Sequence, residues 1–171
     1  MLRDRLEAVF LLLNICTSVG DGELVAVLQL RGEFNPEKMT PETWSWACQV
    51  TVHGQLKKNT TWEEGLLRES EEVGLGITTH LQNSKWHVLS EKIGQEEHVR
   101  TYGIVVAQYV LRDIRWGPAS GGMRLLRQGE ITGILDLRAH FEKTEGVRDR
   151  QVTAMFKDER EAVEATFKKF A

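Results

Sequence analysis

The chain has 171 residues, 41% of them apolar, which is enough to fill one core and points to a single domain over residues 1–171. Its 22 basic and 25 acidic side chains leave a net charge of -3, which argues against a grip on long nucleic acid and leaves small nucleotides as candidate partners. Cys16 and Cys48 lie far apart in apolar segments, so there is no disulfide or metal pattern and each reads as a small buried hydrophobe.

In chain order, the first apolar run is AVFLLLNICTSVG. It is too short to span a bilayer and follows Asp4 and Glu7 rather than the basic start of a signal peptide, so a cytoplasmic protein without membrane association is expected. Within it, residues 9–15 form a run of strand length. Residues 23–31 form another, with Gly20, Asp21 and Gly22 between them as the turn of a hairpin. In WSWACQVTV, Trp44, Trp46, Cys48, Val50 and Val52 recur at period two, which predicts a strand with one face in the core. Thr60 and Thr61 stand three residues before Glu63 and Glu64, the spacing of a capping box, and Leu66, Leu67 and Val73 follow at helical intervals. A helix from about Trp62 to Val73 follows, stopped by Gly74 and Gly76.

Residues 85–89 and 101–111 read as further strands, the second too apolar to be exposed on both faces. Residues 118–122 (PASGG) read as a loop and 130–137 as a short apolar stretch. In 149–170, Val152, Met155, Phe156, Val163, Phe167 and Phe170 predict a closing amphipathic helix. With no repeats or linkers, the expected fold class is α+β.

The chemistry concentrates in GQLKKNTTWEEGLLRESEEVGL, from Gly54 to Leu75. It packs Glu63, Glu64, Glu69, Glu71, Glu72 and Arg68 into about three helical turns. Carboxylates next to a glycine loop suit a divalent cation held against phosphate, because hard oxygen ligands favour magnesium. A plain reading competes: Glu64 with Arg68, and Arg68 with Glu72, have the four-residue spacing of surface ion pairs, and Glu63 and Glu64 serve as first-turn charges. Trp44, Trp46, Trp62 and Trp86 are candidates to stack a base, though aromatics at strand spacing are more often core.

These residues resemble the Nudix hydrolases, whose box runs G, five residues, E, seven residues, then R-E-apolar-x-E-E-x-G-apolar. Counting forward from Gly54, Arg68 and Glu69 fall on the R-E; counting back from Leu75, Gly74, Glu72 and Glu71 fall on the E-E-x-G. The counts disagree by one residue, because only Ser70 separates Glu69 from Glu71. Thr60 stands where the first glutamate is expected, and the second glycine beside Gly54 is missing. Outside the box, MTPETWSWACQVTVHG is similar to the strand and loop leading into it in the branch that includes isopentenyl diphosphate isomerase. EEHVRTYGIVVAQY and GEITGILDL are similar to later segments of the family.

The resemblance implies a Nudix-like α/β/α sandwich with a mixed β-sheet, one Nudix helix and a C-terminal helix. It also implies an Mg2+ (or Mn2+)-dependent pyrophosphohydrolase acting on a nucleoside diphosphate derivative. Glu69, Glu72 and Arg68 are then the expected catalytic residues, with metal on Glu69 and Glu72, helped by Glu71 or Glu130, and Arg68 orienting a carboxylate. Arg31, Lys38, His53 and Arg100 are the candidates for substrate phosphate. The shortened spacing has a cost: Glu69 and Glu72 lie about 60° from alignment, Glu71 about 160° from Glu69, and Val73 takes the position four on from Glu69. This motivates a second expectation, a nucleotide-binding or regulatory domain without turnover. A third, an isomerase of prenyl diphosphates, needs a catalytic cysteine, and Cys48 is poorly positioned for it. The sequence sets neither the substrate nor an oligomeric state.

Overall fold

The N-terminal strand, β1 (Arg3–Ile15), is longer than the apolar run that predicts it. Its first half alternates charged and apolar residues, so Leu6, Ala8 and Phe10 enter the core on one face while Arg5, Glu7 and Val9 leave by the other. The computed structural model describes residues 2–15, 22–73 and 75–171, without the side chains of 11–15, 72, 73, 75 and 76. Cys16, the turn residues Gly20 and Asp21, Gly74 and the side chain of Glu72 thus lie outside the described residues.

β2 (Gly22–Arg31) pairs antiparallel with β1, as the hairpin reading expects. A small hairpin follows, β3 (Phe34–Asn35) with β4 (Thr40–Pro41). The segment WSWACQVTV corrects the expectation of a continuous strand: it turns through Trp44 and Trp46, both at positive φ (52° and 65°). Only β5 (Cys48–Gln49) and β6 (Val52–Gln55) are extended ladders. The turn is held from outside, because the Trp46 N–H donates to the Arg31 carbonyl and the Trp44 N–H to the Lys143 carbonyl, each at 2.9 Å. Cys48, Val50 and Val52 are nevertheless all buried, so the period-two face is real.

α1 (Trp62–Val73) occupies the predicted residues. Its capping box is formed: Thr61 Oγ1 accepts the Glu64 N–H at 3.1 Å and Glu64 Oε2 accepts the Thr61 N–H at 3.0 Å. A second helix, α2 (Leu75–Gln82), follows where the glycines predict only a stop. Ser70 seals the joint between them, fully buried, with Oγ 3.1 Å from Thr78 Oγ1. Next come β7 (His87–Ile93), β8 (Glu97–Ala107), a 3₁₀ turn over Gln108–Asp113 and β9 (Ser120–Arg127). Another 3₁₀ turn, Gln128–Gly133, leads to β10 (Leu135–Asp136) and the short α3 (Leu137–His140). The chain closes with β11 (Ala154–Met155) and α4 (Lys157–Phe170), a helix that begins later than predicted because Val152 closes a turn from Asp149 and Met155 lies in β11.

β1 lies at the centre of a mixed sheet ordered β5-β2-β1-β8-β7, parallel to β8 and antiparallel to β2, with β6 and β9 added on β1 and β2. α1 and α2 cover one face over Leu6, Phe10, Leu66, Ile77 and Ile104. α4 covers the other over Val9, Leu28, Val163 and Phe167. The result is the expected α+β sandwich of a mixed sheet between helices.

Candidate active site

β6 pairs with the first half of β1 among the described residues, lies against α1 at Arg68 and Glu69, and borders one cleft together with the end of β2. This cleft of about 480 Å³ is lined by Arg31, Glu42, Gln49, Thr51, His53 and Glu69 together with the Gly117–Ser120 loop. Its most constrained acid is Glu69, whose side chain is only 13% exposed. The carboxyl group lies directly over Gly54: a Cβ there would fall 2.2 Å from Glu69 Cδ and 2.4 Å from Oε1. Gly54 is thus the residue that makes room for the carboxylate, a role its sequence position alone leaves open. Arg68 holds the same oxygen at 3.2 Å and is itself fixed by donating to the Gln55 carbonyl at 2.8 Å.

Arg31 reaches the cleft from the end of β2, with its guanidinium on Glu42 at 3.0 Å and on the Thr43 carbonyl at 2.9 Å. His53 opens onto the cleft from β6. Although its side chain reaches solvent in the cleft, the protein packed around the ring, then the fields of Arg5 and Arg31, hold its pKa below the ordinary imidazole value, which favours the neutral ring.

The remaining expected residues go elsewhere. Glu71 is exposed, on the helix face away from Glu69. Glu72 belongs to α1, and its side chain lies outside the described residues. Glu130 is not brought to the cleft: β9 runs from Ser120 beside Arg31 to Arg127 beside Val25, so Glu130 leaves the opposite end of β2. There its Oε2 accepts the Arg127 N–H at 2.8 Å. Lys38 is exposed at the tip of the β3–β4 hairpin, where its N–H caps onto Asn35 Oδ1. Arg100 is committed to another cluster, with Glu91 at 2.9 Å, Tyr102 Oη at 3.3 Å and the Trp62 ring at 4.6 Å. Cys48 is buried, and burial pushes its thiol up to about 11, which leaves it without the thiolate that an isomerase nucleophile needs.

A divalent cation is the group that the sequence resemblance implies. Among the described residues no three His, Cys, Asp or Glu side chains converge as a metal cage. The donor chemistry still fits magnesium, which commonly takes one or two carboxylates and completes its shell with water and substrate phosphate. Glu69, seated in the Gly54 cradle and held by Arg68, offers that one carboxylate at the cleft wall. Sequence reasoning missed Glu42, Gln49 and Thr51 as cleft residues. Only the edge position of β6 groups them.

No family model matches the sequence, and no curated protein matches it. Solved structures do match the fold. A mutT/nudix family protein from Listeria innocua superposes with a TM-score of 0.66 at 15% identity, covering 98% of this chain and 92% of that one. The NUDIX domain of NrtR from Shewanella oneidensis, crystallised with ADP ribose, gives 0.59 at 9% identity over 100% and 90%. A MutT protein from Methanosarcina mazei gives 0.53 at 14% identity over 98% and 94%. No helix among the described residues is long and apolar enough to cross a membrane. The chain has the Nudix fold.

Proposed function

We propose that the protein hydrolyses a diphosphate linkage in a nucleoside diphosphate derivative, with Mg2+ at Glu69. The observation that carries this reading is the placement of the Glu69 carboxylate, part-buried, clamped by Arg68 and seated on Gly54 at the wall of a polar cleft. The family reading adds Glu72 as the second acid. A magnesium ion there supplies charge neutralisation to the diphosphate and acidifies water. Arg31 and the neutral His53 face the same space and are assigned to the phosphates and to accepting a proton. The NrtR domain of like fold, crystallised with ADP ribose, supports a nucleoside diphosphate as the ligand class.

The test is a screen of nucleoside diphosphate derivatives with and without magnesium, reading release of phosphate or nucleoside monophosphate. Magnesium-dependent release that falls at least about a hundredfold in Glu69→Gln supports the assignment. Full activity in that variant refutes it. One observation favours a second reading, a binding domain without turnover: the shortened spacing puts Val73 four residues on from Glu69, and Thr60 stands where the first glutamate is expected. That reading predicts a rise in Tm with ADP ribose and no product.

A further inference from the structure

Glu7 and Glu159 are buried acids that the proposed reaction does not use, at 3% and 8% exposure. They face each other across one seam, Glu7 from β1 and Glu159 from the first turn of α4. Both line a cavity of about 670 Å³ that shares Arg31, Gln49 and His53 with the Glu69 cleft. Each also meets the segment that carries His53. Glu7 is the direct cross-strand partner of His53 in the β1–β6 register, so the two side chains leave the same face. Glu159 Oε1 accepts the Val50 N–H at 3.1 Å, three residues before His53.

The seam is short of positive charge. Arg5 lies 2.9 Å from Glu7 and 2.6 Å from Asp158, while its Nε is buried without a partner among the described residues. Lys92 from β7 is drawn away to Glu161 of α4 at 2.7 Å, and Glu97 from β8 adds a further negative charge 4.0 Å from Arg5. Arg138 and Lys157 line the outer part of the cavity, with Asp136 beside them.

We propose that Glu7 and Glu159 are positioning residues: while both are neutral, Glu159 ties residues 50–53 to α4 through the Val50 N–H with Glu7 beside His53 on the same face of the sheet, and their ionisation loosens that segment and weakens ligand binding. The proposal rests on reading the Glu69 cleft as the ligand site. Burial raises Glu7 to about 7 and Glu159 to about 8, against the pull of Arg5 and, for Glu159, the Val50 N–H. An ionised Glu159 would accept that N–H more strongly, but the loss of water is the larger effect. Ionisation therefore draws the first turn of α4 towards solvent.

Two measurements on the intact chain need no substrate: carbon-13 NMR titration of the two carboxyls, and hydrogen exchange of residues 50–53 corrected for its intrinsic pH dependence. Both carboxyls are expected to titrate above pH 6, and protection to fall about tenfold or more between pH 6 and pH 9. In Glu159→Gln, whose amide imitates the neutral acid, the fall shrinks to about threefold or less. Titration of both carboxyls in the ordinary acid range, or pH-independent protection in the wild type, overturns the proposal. Calorimetry with ADP and Mg2+ then reads the site, and affinity is expected to drop about fivefold or more over the same range in the wild type but not in Glu159→Gln. An equal drop in both proteins overturns the link to the site. Absence of ADP binding at every pH, with the carboxyl titration intact, refutes the reading of the cleft and leaves the clamp standing.

Discussion

The two faces of the sheet handle charge in opposite ways. On the α1 side, Glu63, Glu64 and Glu71 are exposed, and Glu64 spends its carboxylate on a helix cap. Glu69, by contrast, is turned inward, with a guanidinium to meet it. On the α4 side, Glu7 and Glu159 are buried, and Arg5 is the cation that contacts Glu7. The segment densest in charge is therefore the cheap one, because its acids keep their water. The costly acids sit one per element, where no sequence window shows them together.

The sharpest way to separate the two faces is pH. Glu7 and Glu159 have folded pKa values raised above 4.5, chiefly by burial, so the folded state holds their protons more tightly than the unfolded chain. Their contribution to stability is complete below about pH 4.5 and is lost as pH rises through 7 to 8, the reverse of an ordinary salt-bridged carboxylate. For Glu7 the displacement corresponds to about 3 kcal/mol. Urea melts at pH 5.5, 7 and 8.5 are expected to show the decline in the wild type and a flatter profile in Glu7→Gln. Equal slopes in both proteins would remove Glu7 as the cause.

The α1 side breaks through geometry instead. Gly54→Ala puts a methyl group where the Glu69 carboxyl lies. The neighbour is the end of a flexible side chain, so the expected stability cost is about 1–3 kcal/mol, while catalysis falls about tenfold or more as the carboxylate is displaced. Parallel melts and phosphate-release assays check it, and an active Gly54→Ala enzyme would deny the cradle its role. Thr61→Ala removes the cap of α1 and is expected to cost about 1 kcal/mol in a thermal melt. At the small end, Lys92→Ala breaks the exposed contact with Glu161 and is expected to change stability by about 0.5 kcal/mol or less.

The sequence was legible where signals are local. α1 has its predicted bounds because capping and helical periodicity lie within twelve residues. β2 follows from an apolar run of strand length, and the buried face of Cys48, Val50 and Val52 from alternation. The pattern misled at Trp44 and Trp46, whose apolar spacing is satisfied inside a turn pinned by Lys143 and Arg31, contacts that no local window contains. β9 went unread past Gly121 and Gly122, which resemble loop, and α2 went unread because a glycine stop does not forbid a new helix. In the site, Glu69, Arg68, His53 and Arg31 were named from the sequence and lie around one strand edge. Lys38, Arg100 and Glu130 were attractive as residue types, but their own neighbours engage them elsewhere. Glu7 and Glu159 depend on strand register and on the docking of α4, which is tertiary information.

Catalysis as proposed needs Glu69 to present its carboxylate to a divalent cation in the β6 cleft. A crystal soaked with Mn2+ and ADP, with anomalous scattering recorded at the manganese edge, tests it most directly. A manganese peak is expected within about 2.3 Å of a Glu69 oxygen, on the side of the cleft shared with His53 and Arg31. A peak held by other acids, with the Glu69 carboxyl still folded onto Arg68 and no metal beside it, would rule out Glu69 as the metal ligand.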